Sequence, residues 1–183
     1  MNFKNANSIE FSKYEIHGNF PEATKSILDK NIVYKLMKIN SGSKGEFTSL
    51  AQYMYQHFIL TYNKKLPNFY EAIEKIAIRE MIHYEMIAKK LYLSDVDPKY
   101  CKYIDNNINI CDYWSGHYVC YAKEFEKILK DNIKLEQIAI NDYNEVLKES
   151  TDENLDEIVK RIIEDEVSHL DYFNTVLNAF NET

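Results

Sequence analysis

Glycine and proline are scarce in this chain of 183 residues, which contains four Gly and three Pro. An all-β fold needs many tight turns, and tight turns draw heavily on these two residue types. Long helices need few of them, because an interior Gly or Pro weakens a helix. The scarcity therefore favours an all-α fold over an all-β fold.

The chain also lacks a long apolar run and an excess of positive charge. No apolar stretch approaches the ~20 residues that a membrane-spanning helix requires, and the first twenty residues lack the apolar segment of a signal peptide. The formal net charge is -7, whereas nucleic acid binding rewards clustered Lys and Arg. We therefore expect no membrane partner, no nucleic acid partner and a cytoplasmic location.

Cysteine is sparse as well. Cys101, Cys111 and Cys120 are odd in number and show no C-x-x-C spacing. They fit a reduced cytosol, in which each cysteine serves as a small buried apolar residue. A metal or redox site built from the three is the less favoured alternative.

The N-terminal part of the chain shows little periodicity. Residues 1–20 are predicted to form an irregular arm. Pro21 suits the first turn of a helix, so the segment 22–39 is predicted to be helical. The Gly-rich segment 41–45 then predicts a break before the next helix.

Four stronger helices follow, each with apolar residues recurring every three or four positions. They are predicted over residues 45–62, 67–93, 117–148 and from Thr151 or Asp152 onward, the last with Ser, Thr and Asp capping chemistry. Short turns join the first two and the last two, whereas the link over 94–116 is long. This is the connectivity of a ferritin-like antiparallel four-helix bundle with one long crossover between helices 2 and 3, which we predict as one domain over residues 21–183.

Four glutamates and two histidines fall on the apolar stripes of these helices. Glu80 precedes His83 by three positions and Glu166 precedes His169 by three, so each pair shares one helix face. Ionised carboxylates that face a core are costly unless a cation pairs them. The complete inward set is Glu46, Glu80, His83, Glu136, Glu166 and His169.

This set predicts a carboxylate-bridged di-metal site. Each Glu-x-x-His pair is expected to hold one ion, while Glu46 and Glu136 complete and bridge the two. Four carboxylates balance the charge of two divalent cations, and oxygen and imidazole ligands without thiolate suit iron or manganese, with zinc as an alternative. Two Glu-x-x-His motifs alone are only suggestive in a Glu-rich chain, and their placement on separate apolar stripes strengthens the prediction.

Other polar residues of these helices are given structural or solvent-facing roles. The carboxylates that fall off the stripes, and are predicted to be solvated, are Glu85, Glu145, Glu164 and Asp165. His57 lies about three turns from Glu46, too far for the same ions, and is expected to be a core histidine. Tyr53 and Tyr143 are expected to pack in the core. Alternatively, these two tyrosines, and also Asn132, form hydrogen bonds to the metal ligands.

Several segments resemble those of known metalloproteins. Two of them are similar to the first two bundle helices of manganese catalases and their spore-coat relatives: GEFTSLAQYMYQHF and IAIREMIHYEMIAKKL. Two later segments are similar to the last two helices of bacterial ferritin-like proteins: DNIKLEQIAINDYNEVL and RIIEDEVSHLDYF. The resemblance covers about residues 20–180 and indicates the ferritin-like di-metal carboxylate superfamily, near its manganese catalase and rubrerythrin branches.

The resemblance implies an oxidoreductase with two Fe or two Mn ions that acts on hydrogen peroxide or dioxygen, as a catalase or peroxidase in oxidative-stress defence. It implies ligand roles for Glu46, Glu80, His83, Glu136 and His169. It implies that Glu166 is a ligand or a proton shuttle.

Some features of those families have no counterpart in this sequence. Manganese catalases are longer, with a C-terminal extension that builds oligomer contacts. Rubrerythrins carry an additional glutamate where this chain has Ala139, and a four-cysteine rubredoxin module. A peroxidase of this kind would take its electrons from a separate donor protein, and we expect a homo-oligomer.

Two other functions remain open from the sequence. A ferritin-type protein would oxidise and store iron inside a hollow multi-subunit shell. A structural spore-coat protein would keep only a residual metal site. The residues do not choose between iron and manganese, because both metals accept these ligands.

Overall fold

The computed structural model describes residues 2–61, 66–100, 102–104, 108–110 and 114–182. Their regular elements, in order, are α1 (Phe3–Asn7), α2 (Lys30–Ser41), α3 (Glu46–Leu60), α4 (Pro67–Leu93), β1 (Lys102–Ile104), β2 (Ile108–Ile110), α5 (Phe125–Glu149) and α6 (Glu153–Asn181). Two 3-10 turns accompany them, Phe11–Lys13 and Gly116–Tyr118. None of the helices in the described ranges is long and apolar enough to cross a membrane.

Helices α3, α4, α5 and α6 form the bundle. α3 packs along α4 and α5 packs along α6, while α4 also contacts α6 and α3 also contacts α5. The long link between α4 and α5 contains two short antiparallel strands, in which Lys102 of β1 pairs with Ile110 of β2. The prediction of an all-α ferritin-like bundle with one long crossover is confirmed.

Local chemistry sets the helix boundaries. Pro67 occupies the first turn of α4, where its missing N–H is not needed. Asp152 caps α6, because its side chain accepts a hydrogen bond from the Leu155 N–H at 2.9 Å. Gly45 precedes α3, and a Cβ atom there would lie 2.1 Å from the carbonyl oxygen of Ile39. The tight turn from α2 into α3 therefore requires glycine.

Some boundaries differ from the prediction. Residues 21–29 are not helical, and α2 begins only at Lys30. Pro21 does not distinguish the two states, because its ring fixes φ at a value shared by helices and extended chain. Helix α5 begins at Phe125, and His117 lies in a separate 3-10 turn. The N-terminal arm is not wholly irregular, since it contains α1.

The core consists of two apolar clusters separated by the inward polar residues. One cluster includes Phe69 of α4 and Phe125 of α5. The other includes Ile87 of α4 and Leu155 of α6. Along α4, α5 and α6 the inward glutamates and histidines come between the members of these two clusters. The bundle thus buries a charged layer between two apolar layers.

Candidate metal centre

All six inward residues come together in the middle of the bundle, and none is more than 2% exposed. They form two overlapping groups, and in each group the ligand-type atoms lie within 4.8 Å of one another. The first group is Glu46, Glu80, His83 and Glu166, and the second is Glu80, Glu136, Glu166 and His169. The two groups share Glu80 and Glu166.

The shared residues are not the ones that the sequence spacing predicts. Glu46 and Glu136, the expected bridging pair, each belong to one group only. The reason is that α4 and α6 are in contact, so the glutamate of each motif reaches the histidine of the other. Glu166 Oε1 lies 3.0 Å from His83 Nδ1, while Glu80 Oε2 of the same motif lies 3.9 Å away.

The second histidine repeats this pattern. His169 Nδ1 lies 3.1 Å from Glu80 Oε1 of the facing helix, and 3.6 Å from Glu166 Oε2 of its own. Glu136 Oε2 lies 3.9 Å from the same nitrogen. Both imidazoles therefore direct Nδ1 toward the middle of the site.

Many of these inward atoms lack a well-aligned hydrogen bond to a described residue, although His83 Nδ1 lies 3.0 Å from Glu166 Oε1 and His169 Nδ1 lies 3.1 Å from Glu80 Oε1. They include Glu46 Oε2, Glu80 Oε1, both carboxylate oxygens of Glu166, and Nδ1 of His83 and of His169. An unsatisfied buried polar group costs about 1–3 kcal/mol, and more when it is charged. A cation placed among these atoms would satisfy several at once. The donor set, four carboxylates and two imidazoles without thiolate, fits two divalent metal ions.

The carboxylates and imidazoles strongly perturb each other's pKa values. Burial, and then the charges of Glu166 and Glu136, raise the pKa of Glu80 well above its ordinary value. Burial alone would lower the pKa of His83, but Asp165 and Glu166 outweigh it and raise this pKa. Protons thus offset part of the negative charge of the site without metal, since carboxylates in a dry site cannot all ionise. A cation that binds there must displace them.

Two buried tyrosines hold the unshared glutamates. The Tyr53 hydroxyl donates to Glu136 Oε1, and the Tyr143 hydroxyl donates to Glu46 Oε1. Burial and the carboxylates they face raise the pKa of both tyrosines well above its ordinary value, so both stay protonated and remain donors. Helical periodicity predicts their burial but not these hydrogen bonds, so the core-packing role expected for them is incomplete.

The structure contradicts the prediction that Asp165 lies on the solvated face. It is 2% exposed, and its Oδ2 lies 3.1 Å from His83 Nε2. Arg161 Nη1 lies 2.9 Å from Asp165 Oδ1, and Arg79 Nε lies 3.6 Å from Oδ2. A carboxylate behind a metal-binding histidine fixes the orientation and tautomer of the ring. The sequence signal that points to Asp165 is its spacing of four from Arg161, which places an ion pair on that face of α6.

The N-terminal arm covers the histidine side of the site. Phe11 lies against His169 with ring centroids 6.1 Å apart, and Phe20 lies edge-on against His83 at 5.9 Å. The backbone oxygen of Ile16, between them, accepts hydrogen bonds from two arginine side chains of α4 and α6. No sequence signal indicates this role, because the arm has no helical period.

Other polar candidates lie away from the site. His57 is half-buried and stacks on Tyr70 with centroids 4.2 Å apart, so it is not the core histidine expected. Asn132 accepts hydrogen bonds from Gln52 at 3.0 Å and from Gln56 at 2.7 Å, and not from the ligand set. These three amides form a buried polar cluster of their own.

The cysteines contribute nothing to the site where they are described. Cys120 is half-buried, and its thiol donates to Asp131 Oδ2 at 2.7 Å. Cys101 and Cys111 lie outside the described residues. The remaining off-stripe carboxylates are exposed as predicted: Glu85, Glu145 and Glu164.

Comparisons with known proteins agree with the fold. A search of curated proteins by sequence gives no match. A structure of wild-type KatB, a manganese catalase from Anabaena, is similar with a TM-score of 0.69 and 21% identity, over 91% of this chain and 81% of that chain. A second KatB structure, from Anabaena PCC7120, gives a TM-score of 0.68 and 22% identity, over 90% of this chain and 79% of that one. At such identities the likeness concerns the fold alone.

The family comparison extends over most of the chain. The model of the ferritin-like domain family matches residues 36–183. This range contains the four bundle helices and all six inward residues. The chain therefore belongs to the ferritin-like domain family.

Proposed function

We propose that this protein is a di-metal oxidoreductase that holds two manganese or two iron ions and acts on hydrogen peroxide or dioxygen. One observation carries the proposal: two overlapping groups of four ligand residues share Glu80 and Glu166. Several inward atoms of these groups lack a well-aligned hydrogen bond to a described residue. The similarity in fold to a manganese catalase supports it.

A pair of redox-active ions supplies the two-electron exchange in which one peroxide is oxidised to dioxygen and a second is reduced to water. The protein supplies ligands, orientation and shelter from bulk water. We assign Glu46 and His83 to one ion and Glu136 and His169 to the other. Tyr53 and Tyr143 orient the two unshared glutamates through their hydroxyl groups.

Glu166 fits a shared ligand better than a proton shuttle. Burial alone would raise its pKa, but Glu136, His169 and His83 hold this pKa well below its ordinary value. Its carboxylate belongs to both groups of ligand-type atoms, which suits a ligand shared by two ions. We therefore assign Glu166, with Glu80, to both ions.

Reconstitution with each metal tests the proposal. Metal-free protein is loaded with Mn²⁺ or Fe²⁺, the bound ions are counted by elemental analysis, and oxygen evolution from peroxide is measured. Peroxide consumption with an added electron donor is measured in parallel, because a peroxidase would need a separate donor protein. We expect two ions per chain and turnover with at least one metal.

Variants check the ligand assignment. Glu136→Ala and His83→Ala should each abolish paired metal binding, whereas Glu145→Ala, on the exposed face of the same helix as Glu136, should retain both ions. Loaded protein with neither oxygen evolution nor donor-linked turnover would refute the enzymatic function. Uptake of many iron ions per chain by a large shell would indicate ferritin-type storage, and less than one ion per chain would indicate a structural protein.

A further inference from the structure

The two histidines of the centre differ in what lies behind them. His83 Nε2 contacts Asp165 at 3.1 Å, and Asp165 is held in turn by Arg161 at 2.9 Å. The polar contacts of His169 with described residues run through Nδ1 alone. Its imidazole forms part of the wall of a cavity of about 260 Å3. One histidine is therefore backed by a buried ion pair, whereas the other borders a cavity that Phe11 also lines.

The outer face of His83 is closed. Phe20 lies edge-on against its ring at 5.9 Å. The guanidinium of Arg161 lies 4.5 Å from the centroid of the Phe20 ring, a cation–π distance that holds Phe20 in place. The same arginine also pairs with Asp165. Phe20, Arg161 and Asp165 thus enclose His83 as one packed unit.

The cavity beside His169 lies between the N-terminal arm and the bundle. Phe11 and Tyr14 belong to its arm wall, and Ile78 and Ile82 of α4 line the opposite side. Its volume is many times the roughly 10–15 Å3 of such space that one water molecule needs. Such a space admits hydrated small molecules and cations to the edge of His169.

The charges around this cavity are balanced and partly solvated. Lys75 and Glu15 both line it and pair with each other at 2.5 Å, with side chains 51% and 24% exposed. Arg79 and Asp165 contribute one further charge of each sign. A divalent cation therefore meets no net repulsion on this path, and the exposed pair offers little resistance to opening.

We propose that the two half-sites hold their ions unequally: the ion at Glu46 and His83 is retained, whereas the ion at Glu136 and His169 exchanges with solvent through the cavity under the arm. The inference rests on the proposed di-metal function, and the ligand is a divalent first-row cation such as Mn²⁺ or Fe²⁺. Loss of the partner behind a metal-binding histidine typically lowers affinity by about 10–100-fold. A half-site without that partner should be weaker by this order.

Release into a chelator tests the inference without any assay of turnover. Full-length protein loaded with two Mn²⁺ per chain is mixed with excess EDTA, and the remaining bound manganese is followed with time. We expect two phases of equal amplitude whose rates differ by about 10–100-fold. His169→Ala should retain one ion, which leaves at the slow rate. Release of both wild-type ions in a single phase would overturn the inference.

Two variants assign the phases to the two half-sites. Asp165→Asn should accelerate the slow phase about tenfold or more, with a smaller effect on the fast phase because Asp165 also lines the cavity. Ile82→Trp narrows the cavity and should slow the fast phase alone, while Ile27→Trp, at a residue 99% exposed, is its control. Equal release rates for these two tryptophan variants would refute the cavity as the exchange path. If circular dichroism shows that Asp165→Asn does not fold, the comparison of the two tryptophan variants still tests the exchange path.

Failure of the inference and failure of the proposed function give different results. Wild-type protein that binds fewer than two ions has no di-metal centre, and the proposed function itself fails. Protein that binds two ions and releases them together keeps its di-metal centre and refutes only their inequality.

Discussion

The candidate metal centre is enclosed by different means on its two sides. On the α3 and α5 side the bundle closes the centre itself, because Tyr53 and Tyr143 each reach across to a glutamate of the other helix. On the α4 and α6 side the closure comes from outside the bundle, where Phe11 and Phe20 of the arm lie against the histidines. The first closure uses residues at helical spacing, and the second uses a segment without a period.

This difference concerns local stability as well as architecture. The tyrosine side persists as long as α3 and α5 remain packed. The arm side depends on a separate segment that packs on the bundle through α1 and its aromatic side chains, so it can open without unfolding the bundle. We therefore expect solvent and ions to reach the centre from the arm side, and the predictions below test this contrast from the largest effect to the smallest.

The largest effect is expected at the carboxylates that serve both halves of the centre. Glu166→Ala should remove both ions, because Glu166 belongs to both ligand groups. Glu46→Ala should cost mainly one ion, since Glu46 belongs to one group. Metal content per chain measures the difference, with Glu164→Ala on the exposed face of the same helix as the control. Two ions retained in Glu166→Ala would contradict the shared role.

Removal of an arm aromatic should open the histidine side. Phe11 is buried and packs edge-on against Tyr172 with centroids 5.1 Å apart. Phe11→Ala should lower the free energy of unfolding by about 3 kcal/mol and speed metal loss. Chemical denaturation and metal release measure the two effects, and Phe58→Ala, at an exposed phenylalanine, is the control. If Phe11→Ala and Phe58→Ala have the same free energy of unfolding, the arm does not close the histidine side of the centre.

A buried lysine anchors the extended segment that follows the arm. Lys90 Nζ donates to the Thr24 carbonyl oxygen at 3.2 Å and pairs with Asp152 at 2.8 Å. Burial alone would raise the pKa of Asp152, but Lys90, together with the hydrogen bonds that Asp152 accepts from Ser26 and the Leu155 N–H, outweighs it and holds this pKa below its ordinary value. The stabilisation from a lowered carboxyl pKa is present above the unfolded-state value and is lost as pH falls through the folded-state value.

Acid unfolding therefore tests this anchor. Asp152→Asn keeps a good helix cap but should lower the free energy of unfolding near neutral pH by about 1.5–3 kcal/mol, the range for hydrogen bonds to charged groups. Below about pH 4 the difference from wild type should shrink, because wild-type Asp152 becomes protonated. Asp95→Asn, in an exposed pair with Lys25, is the control. A difference that stays constant with pH would exclude the pairing as its cause.

The smallest effect is expected on the tyrosine side. Tyr143→Phe removes one hydrogen bond to Glu46 without changing the packing of the ring. It should weaken metal binding about tenfold and leave the helices in place. Tyr53→Phe should do the same through Glu136, whereas Tyr92→Phe, at an exposed tyrosine, should have no effect. Metal titration measures all three, and an unchanged affinity in both buried variants would make these tyrosines packing residues only.

The helical periodicity of apolar residues predicted the bundle well, because each bundle helix buries one continuous apolar face. The predicted helix over 67–93 has the observed bounds, since Pro67 marks its start and its apolar stripe is continuous. Asp152 caps α6 where the Ser, Thr and Asp chemistry indicated. The same stripes select all six inward residues that the structure brings together.

The rest depends on contacts that no single helix encodes. Asp165 lies about 100° around the helix from Glu166, and it is buried only because Arg161 and the arm cover that face. The shared role of Glu80 and Glu166 depends on the axial offset between α4 and α6, which the helical periodicity of their sequences does not determine. The extended course of residues 21–29 is likewise set by tertiary contacts, among them the Lys90 hydrogen bond to Thr24.

The charged layer between the two apolar clusters affects how the protein unfolds. Each cluster contains residues of α4, α5 and α6, so apolar contacts hold the same three helices together at each end of the bundle. Without cations the layer between them is held by ion pairs and hydrogen bonds in place of apolar contacts. Cations bound in this layer would stabilise both ends at once, because they bind the folded state alone, so the melting temperature should rise with metal concentration.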